Sequence, residues 1–223
     1  DEIEQIKKQY NIDAILFMDD NFTLNPNRTI RICELINHRD LNIKWWFFSR
    51  VDTIVKHDDM VQSMADAGAT MAFIGVESPN QDMLNDYKKG ITADISYRAI
   101  QILRKYKIRS MAGFIIGGLN ETKEMIKDTI KFAIKLNPDI AQFSILTPYP
   151  GTRLFESVKR NLLTHNWALY DGLHAIMKIE QVKPKDLKKL LKEAYLMFYL
   201  RPSRFLLNPI GKISLLWELL RLG

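Results

Sequence analysis

The sequence predicts an α/β fold built from parallel βα units. Short apolar runs alternate with stretches of helical periodicity along most of the chain. The runs are near-continuously apolar, as in strands that helices cover on at least one face. Each run also ends on polar residues, where loops in such folds carry ligands.

Ile3, Ile6 and Tyr10 suit one face of an opening helix, and Ala14–Met18 is the first strand, placed near 13–18. The later strands are placed near 43–48, 70–76, 110–116 and 140–146. Helical patterns fall between them at Thr29–Asn37, Ile54–Ala67, Ala93–Tyr106 and Lys123–Leu136, with Thr92 and Asn120 as caps for the last two. Beyond the fifth run, Leu187, Leu190, Leu191, Ala194, Tyr195 and Phe198 recur at helical spacing, as do Ile213, Leu216, Trp217, Leu219 and Leu220. Residues 1–155 therefore read as the α/β core and 156–223 as a mostly helical extension packing on it.

With 223 residues and 47% hydrophobic content, the chain can bury a sizeable core. Its net charge of +6 sits partly in runs such as Lys183-Pro-Lys-Asp-Leu-Lys-Lys189, which reads as a solvated helix face, so no nucleic-acid partner is expected. One cysteine, Cys33, excludes an internal disulfide framework and fits a reducing, cytoplasmic setting. No window approaches about 18 uninterrupted apolar residues. Arg204, Lys212 and Arg221 flank the last apolar stripe, and peripheral membrane contact there is the less favoured reading beside packing. The opening Asp-Glu-Ile-Glu-Gln-Ile-Lys-Lys reads as mid-helix, so a longer parent chain is expected.

Asp19, Asp20, Asn21, Ser49, Arg50, Glu77, Ser78, Glu121 and Tyr149 all fall within a few positions of a strand's carboxyl end. Singly, each can be a cap, a turn former or half of a local ion pair. Together they favour a shared small-molecule site. Glycines Gly113, Gly117 and Gly118 in GFIIGGLNETKE permit either a tight turn or a close ligand.

In order, Phe17-Met-Asp-Asp-Asn-Phe22, Ser49-Arg-Val-Asp52, Ile74-Gly-Val-Glu-Ser78, Gly113-Phe-Ile-Ile-Gly117 with Glu121-Thr122, and Pro148-Tyr-Pro-Gly-Thr152 resemble the core of radical S-adenosylmethionine (SAM) enzymes. They are similar, more narrowly, to the cobalamin-associated branch that includes the anaerobic magnesium-protoporphyrin monomethyl ester cyclase. Asp171-Gly-Leu-His-Ala175 and Phe198-Tyr-Leu-Arg-Pro202 resemble that branch too. The resemblance spans nearly the whole chain. It implies a partial (β/α) barrel of parallel strands that lacks the family's first strand, and cofactor contacts at the residues just named.

By that resemblance, Asp19 and Asp20, with Asn21 beside them, would meet the amino group of the SAM methionine, and Glu77 the ribose hydroxyls. Gly113, Ile115 and Gly117 would pack on the adenine, with Pro148 and Tyr149 bordering the nucleoside. Arg50, beside Ser49, would hold either the methionine carboxylate or an acidic substrate. After the stretch matching Gly113–Gly117 the family commonly has proline then glycine before Glu-Thr, where this chain has Leu119-Asn120. The family also holds a four-iron, four-sulfur cluster through three closely spaced cysteines in the loop after its first strand. That loop is not in this sequence, and Cys33, between Ile30 and Ile36, reads as a core residue. The expectation is a chain that binds SAM and a small-molecule substrate but is inactive alone, in a parent whose upstream part supplies the cluster loop and, by the branch, a cobalamin domain. No catalytic residue or metal ligand is assigned here.

Two other readings stay open. One is a non-radical (β/α)-barrel enzyme acting on phosphate-bearing substrates, for which Gly117-Gly118 is a poor phosphate loop. The other is an RNA-modifying, methylthiotransferase-like relative, which would show a localised basic surface with interleaved aromatics. His165 and His174 read as satisfied histidines rather than substrate or corrin contacts.

Overall fold

The computed structural model describes residues 1–202. In order, the elements are α1 (Glu2–Tyr10), β1 (Ala14–Leu16), α2 (Pro26–His38), β2 (Lys44–Arg50), α3 (Val51–Lys56), α4 (Asp58–Asp66), β3 (Ala69–Glu77), α5 (Gln81–Asp86), α6 (Ala93–Lys105), β4 (Arg109–Ile116), α7 (Lys123–Leu136), β5 (Ile140–Ile145), α8 (Arg153–Val158) and α9 (Pro184–Tyr199). The strands form one parallel sheet in the order β1-β2-β3-β4-β5, so β1 and β5 are its outer strands. The apolar stripe Ile213–Leu220 and the membrane-surface reading attached to it lie outside the described residues.

The chain divides into two compact units. The first comprises Asp1–Val76, Ile91–Gly113 and Pro138–Ile140. Within it, β1 pairs with β2 in a register that sets Leu16 opposite Trp46, and β2 pairs with β3 through a bulge between Trp45 and Trp46. Burial alternates along β2: Trp45, Phe47 and Ser49 are buried, whereas Trp46 stays 46% exposed. On the buried side Phe17, Phe22, Trp45 and Phe47 form a cluster of rings, with Phe17 stacked on Phe22 at 4.4 Å. Cys33 and Ile36 of α2, Ile54 of α3, and Met60, Val61 and Met64 of α4 complete this core.

Several element boundaries differ from expectation for local reasons. The helix expected over Ile54–Ala67 is two, α3 and α4, because His57 at φ −132° and ψ 66° interrupts it and Asp58 and Asp59 start a new, acidic first turn. The α2 helix begins earlier, at Pro26, with Asn25 accepting from the Arg28 N–H. The Ile3, Ile6 and Tyr10 stripe does form α1, yet none of its residues is buried.

The second unit comprises Glu77–Gly90, Phe114–Asn137 and the described residues from Ala141 on. Here α9 packs against α7 and buries Leu187, Leu190, Leu191, Ala194 and Phe198, the apolar spacing read from sequence. Lys183, Lys185, Lys188 and Lys189 are exposed, as a solvated face should be. Phe114 stacks on Phe143 at 5.2 Å. The cap of α7 is Thr122, which accepts from the Met125 N–H, and not Asn120. Glu121 turns its side chain back onto the glycine turn, so the helix starts only after it.

Gly68, at φ +93°, precedes β3, and a Cβ there would lie 2.3 Å from the Ile43 carbonyl oxygen. Gly90, at φ +62°, has nothing within 4 Å of its Cβ direction. Chemical denaturation should therefore separate the two: Gly68→Ala should lose roughly 2–4 kcal/mol from steric overlap and strain, against about 1 kcal/mol for Gly90→Ala.

Candidate functional site

In the first unit, the loop after β1 and the end of β2 carry the expected polar residues. Asp19 pairs with Arg28 at 3.4 Å and is about half exposed, and Asp20 is exposed. Asn21 accepts from the Thr23 hydroxyl at 3.0 Å, and Thr23 in turn shares a hydrogen bond with Ser49 at 2.6 Å. Ser49 and Thr23 are buried, so Ser49 ties the β1 loop to β2 and faces the helices. Arg50, the last residue of β2, grips Asp52 with Nε at 2.9 Å and Nη2 at 3.4 Å, the local ion pair foreseen as the bland alternative. Beside Gly113 lies the chain's own flat ring: a Cβ there would be 3.2 Å from Phe73 Cζ.

The second unit holds the more constrained groups. Glu77 ends β3 in the left-handed region, at φ +67°, and is 9% exposed. Its carboxylate pairs with Lys89 at 2.6 Å. Lys89 escaped the sequence reading because Lys88 and Lys89 are adjacent and equivalent there; the turn after α5 brings Lys89 back to the strand end. Ser78 is buried and accepts from the Asn80 N–H at 3.1 Å, so it shapes the loop. Ile115 is half-buried on β4. Pro148 is buried and Tyr149 is 51% exposed, and the Tyr149 carbonyl accepts from the Thr152 hydroxyl at 2.7 Å.

Gly117 answers to a turn and to packing. It sits at φ +81°, and a Cβ would come within 2.8 Å of Leu187 Cδ2. The Gly117 and Gly118 N–H groups both donate to Glu121 Oε2, at 2.5 and 3.0 Å. Glu121 is fully buried, and its other oxygen has no partner among the described residues; the same holds for the Tyr87 hydroxyl, which a Gly118 Cβ would approach at 3.1 Å. Burial pushes the Glu121 carboxyl up to about 7, opposed in part by the two glycine amides. Burial and then the Glu121, Glu77 and Asp86 carboxylates push the Tyr87 phenol up.

In the folded chain Glu121 thus holds its proton to about pH 7, against 4.5 for an ordinary glutamate. Between those values the native state binds more protons, so stability should fall as pH rises across that window, by about 3 kcal/mol in all. In Glu121→Gln, which keeps an acceptor for both amides, urea denaturation should show that slope flattened. A Gln variant with the wild-type slope would overturn the assignment.

Residues 1–133 match the family described as "Radical SAM superfamily". The chain belongs to the radical SAM superfamily. Its fold class is the parallel (β/α) partial barrel of that family. It is 40% identical to an uncharacterized methyltransferase of Pyrococcus horikoshii, over 91% of this chain and 44% of that protein. It is 30% identical to the anaerobic magnesium-protoporphyrin IX monomethyl ester cyclase of Rubrivivax gelatinosus, over 95% of this chain and 38% of that protein. Among solved structures, the cobalamin-dependent SAM radical enzyme OxsB with aqua-cobalamin bound superposes with a TM-score of 0.63 at 23% identity, over 92% of this chain and 36% of that one; this likeness concerns the fold. The chain spans less than half the length of these relatives.

Radical SAM enzymes use SAM and a four-iron, four-sulfur cluster. The cluster does not fit the residues present. Cys33, the one cysteine, is buried in α2, and burial pushes its thiol up to about 12, far from the thiolate that iron needs. Among the described residues no three His, Cys, Asp or Glu side chains gather to hold a metal ion. Also among them, no helix is long and apolar enough to cross a membrane.

Proposed function

We propose that this chain is the SAM-binding and substrate-binding part of a radical SAM enzyme. The observation that carries the reading is Glu77: a nearly buried acid at a strand's carboxyl end, in a strained left-handed backbone, aimed by a lysine. Such strain persists where the surroundings over-determine a residue's position, and a fixed carboxylate is the acceptor that a ribose diol needs. In this reading Asp19 and Asp20 take the ammonium of the methionine and Glu77 the ribose hydroxyls. Ile115 offers the adenine an apolar surface, with Gly113, Gly117 and the Pro148–Tyr149 turn at its borders. Lys89 adds a cation beside Glu77, suited to a carboxylate. Asn21 Oδ1 and the Ser49 hydroxyl are engaged in holding the loops, and Glu121 holds the glycine turn through one of its two oxygens.

In the whole enzyme a reduced cluster would supply the electron for radical chemistry on SAM, while Asp19, Asp20, Glu77 and Ile115 would hold SAM in place for it. The cluster is held by residues outside this chain, and the chain alone is inactive. Its own residues bind and orient SAM and keep water from the strand ends. We extend the reading to cobalamin as a second cofactor, carried by another part of the protein; its support is the likeness to OxsB, whose structure holds aqua-cobalamin.

In the full-length protein, Glu77→Gln keeps the side chain's shape and removes its charge. Calorimetry, at a temperature where the variant is still folded, should show SAM affinity at least tenfold weaker, with a lowered melting temperature as the pair with Lys89 is broken. Asp20→Asn, at an exposed position, should weaken binding without affecting the fold. If both variants bind SAM like the wild type, the site assignment is wrong. If SAM binds but the anaerobically reconstituted, reduced protein releases no 5′-deoxyadenosine, the radical reading fails and the binding reading stands.

A further inference from the structure

Among the described residues no further strand pairs the outward-facing N–H and C=O groups of the outer strand β5. Two phenols from α9 meet them. The Tyr199 hydroxyl accepts from the Ala141 N–H at 3.1 Å and donates to the Ala141 carbonyl at 2.9 Å. The Tyr195 hydroxyl does the same at Phe143, at 3.1 and 2.9 Å. One step further along, the Ile145 N–H donates to the Gly172 carbonyl at 2.6 Å. Thus alternate residues of the strand edge are all answered from the C-terminal part of the second unit.

The fit follows from pitch. Residues four apart on a helix rise about 6 Å, and residues two apart on a strand advance about 6.6 Å, so Tyr195 and Tyr199 fall in step with Phe143 and Ala141. The two rings lie nearly parallel, 9° apart, and Tyr195 also meets the Phe143 ring edge-on at 5.4 Å. The strand residues here are buried, with Ala141 at 1% and Phe143 at 0% exposure, so losing the phenol oxygens would strand polar backbone groups among apolar side chains.

We propose that α9 takes the place of a further strand, and that its Tyr195 and Tyr199 hydroxyls close the β5 edge against strand addition by a second copy of this chain. An uncovered, regular edge strand is a template for pairing with its own kind. The inference stands apart from the SAM reading, since it needs only the helix and the strand.

The test is the Tyr195→Phe, Tyr199→Phe double variant of the full chain, which keeps both rings and removes only the hydroxyls. Hydrogen exchange at the Ala141 and Phe143 amides should be at least tenfold faster in dilute solution. Light scattering should reveal an added dimer that grows with concentration beyond any in the wild type, and in that dimer the two amides should regain protection. Unchanged exchange would mean the phenols do not bond the strand. Faster exchange with a wild-type mass distribution, or a dimer whose β5 amides still exchange fast, would overturn the proposed closure. Should the double variant fail to fold, Tyr199→Phe alone should speed exchange at Ala141 and spare Phe143; equal effects at both would count against a residue-by-residue latch.

Discussion

The helices bury one face of the sheet, and that asymmetry governs what each strand residue can do. Along β2, Trp45 and Phe47 lie out of water while Trp46 between them stays half exposed. Side chains on the buried face have to be apolar or satisfied, which is why Ser49 meets Thr23 and why the Trp45 ring nitrogen donates to the Ala67 carbonyl at 2.8 Å. Side chains on the other face, and residues past the strand ends, are free of that demand. Chemistry can therefore collect there without a cost to the core.

Glu121 sits where these two demands conflict. Its carboxylate is the acceptor for two glycine amides that the turn after β4 leaves without strand partners, yet burial opposes the charge that would make it a strong one. The result is a carboxyl whose proton is poised near neutrality, with one oxygen and a nearby phenol that have no partner among the described residues. A perturbed buried acid of this kind is common at functional sites, and here a turn-holding role accounts for its geometry. Glu77 differs: it is nearly as buried, but Lys89 accompanies its charge, and its strain lies in the backbone.

The same accounting of backbone groups explains the C-terminal helix. Apolar residues at helical spacing account for its packing, through Leu187, Leu190, Leu191, Ala194 and Phe198. Its two edge tyrosines serve the strand instead, and Leu187 fills the space that Gly117 leaves open. Within the second unit one helix thus covers a core, an edge and a turn.

Local pattern was enough for the five strands and the longer helices between them, the buried character of Cys33, the solvated lysine face of α9, and the motifs that resemble radical SAM enzymes, because periodicity and short motifs are properties of neighbouring residues. It was also enough to place Asp19, Arg50, Glu77 and Gly117 at strand ends. It could not choose Lys89 over Lys88 as the partner of Glu77, nor show that Leu187 lies against Gly117, nor that Tyr195 and Tyr199 bond to β5. Those partners lie up to 70 residues apart in the chain. Only packing, which sets distance in space independently of distance along the backbone, decides which of them meet.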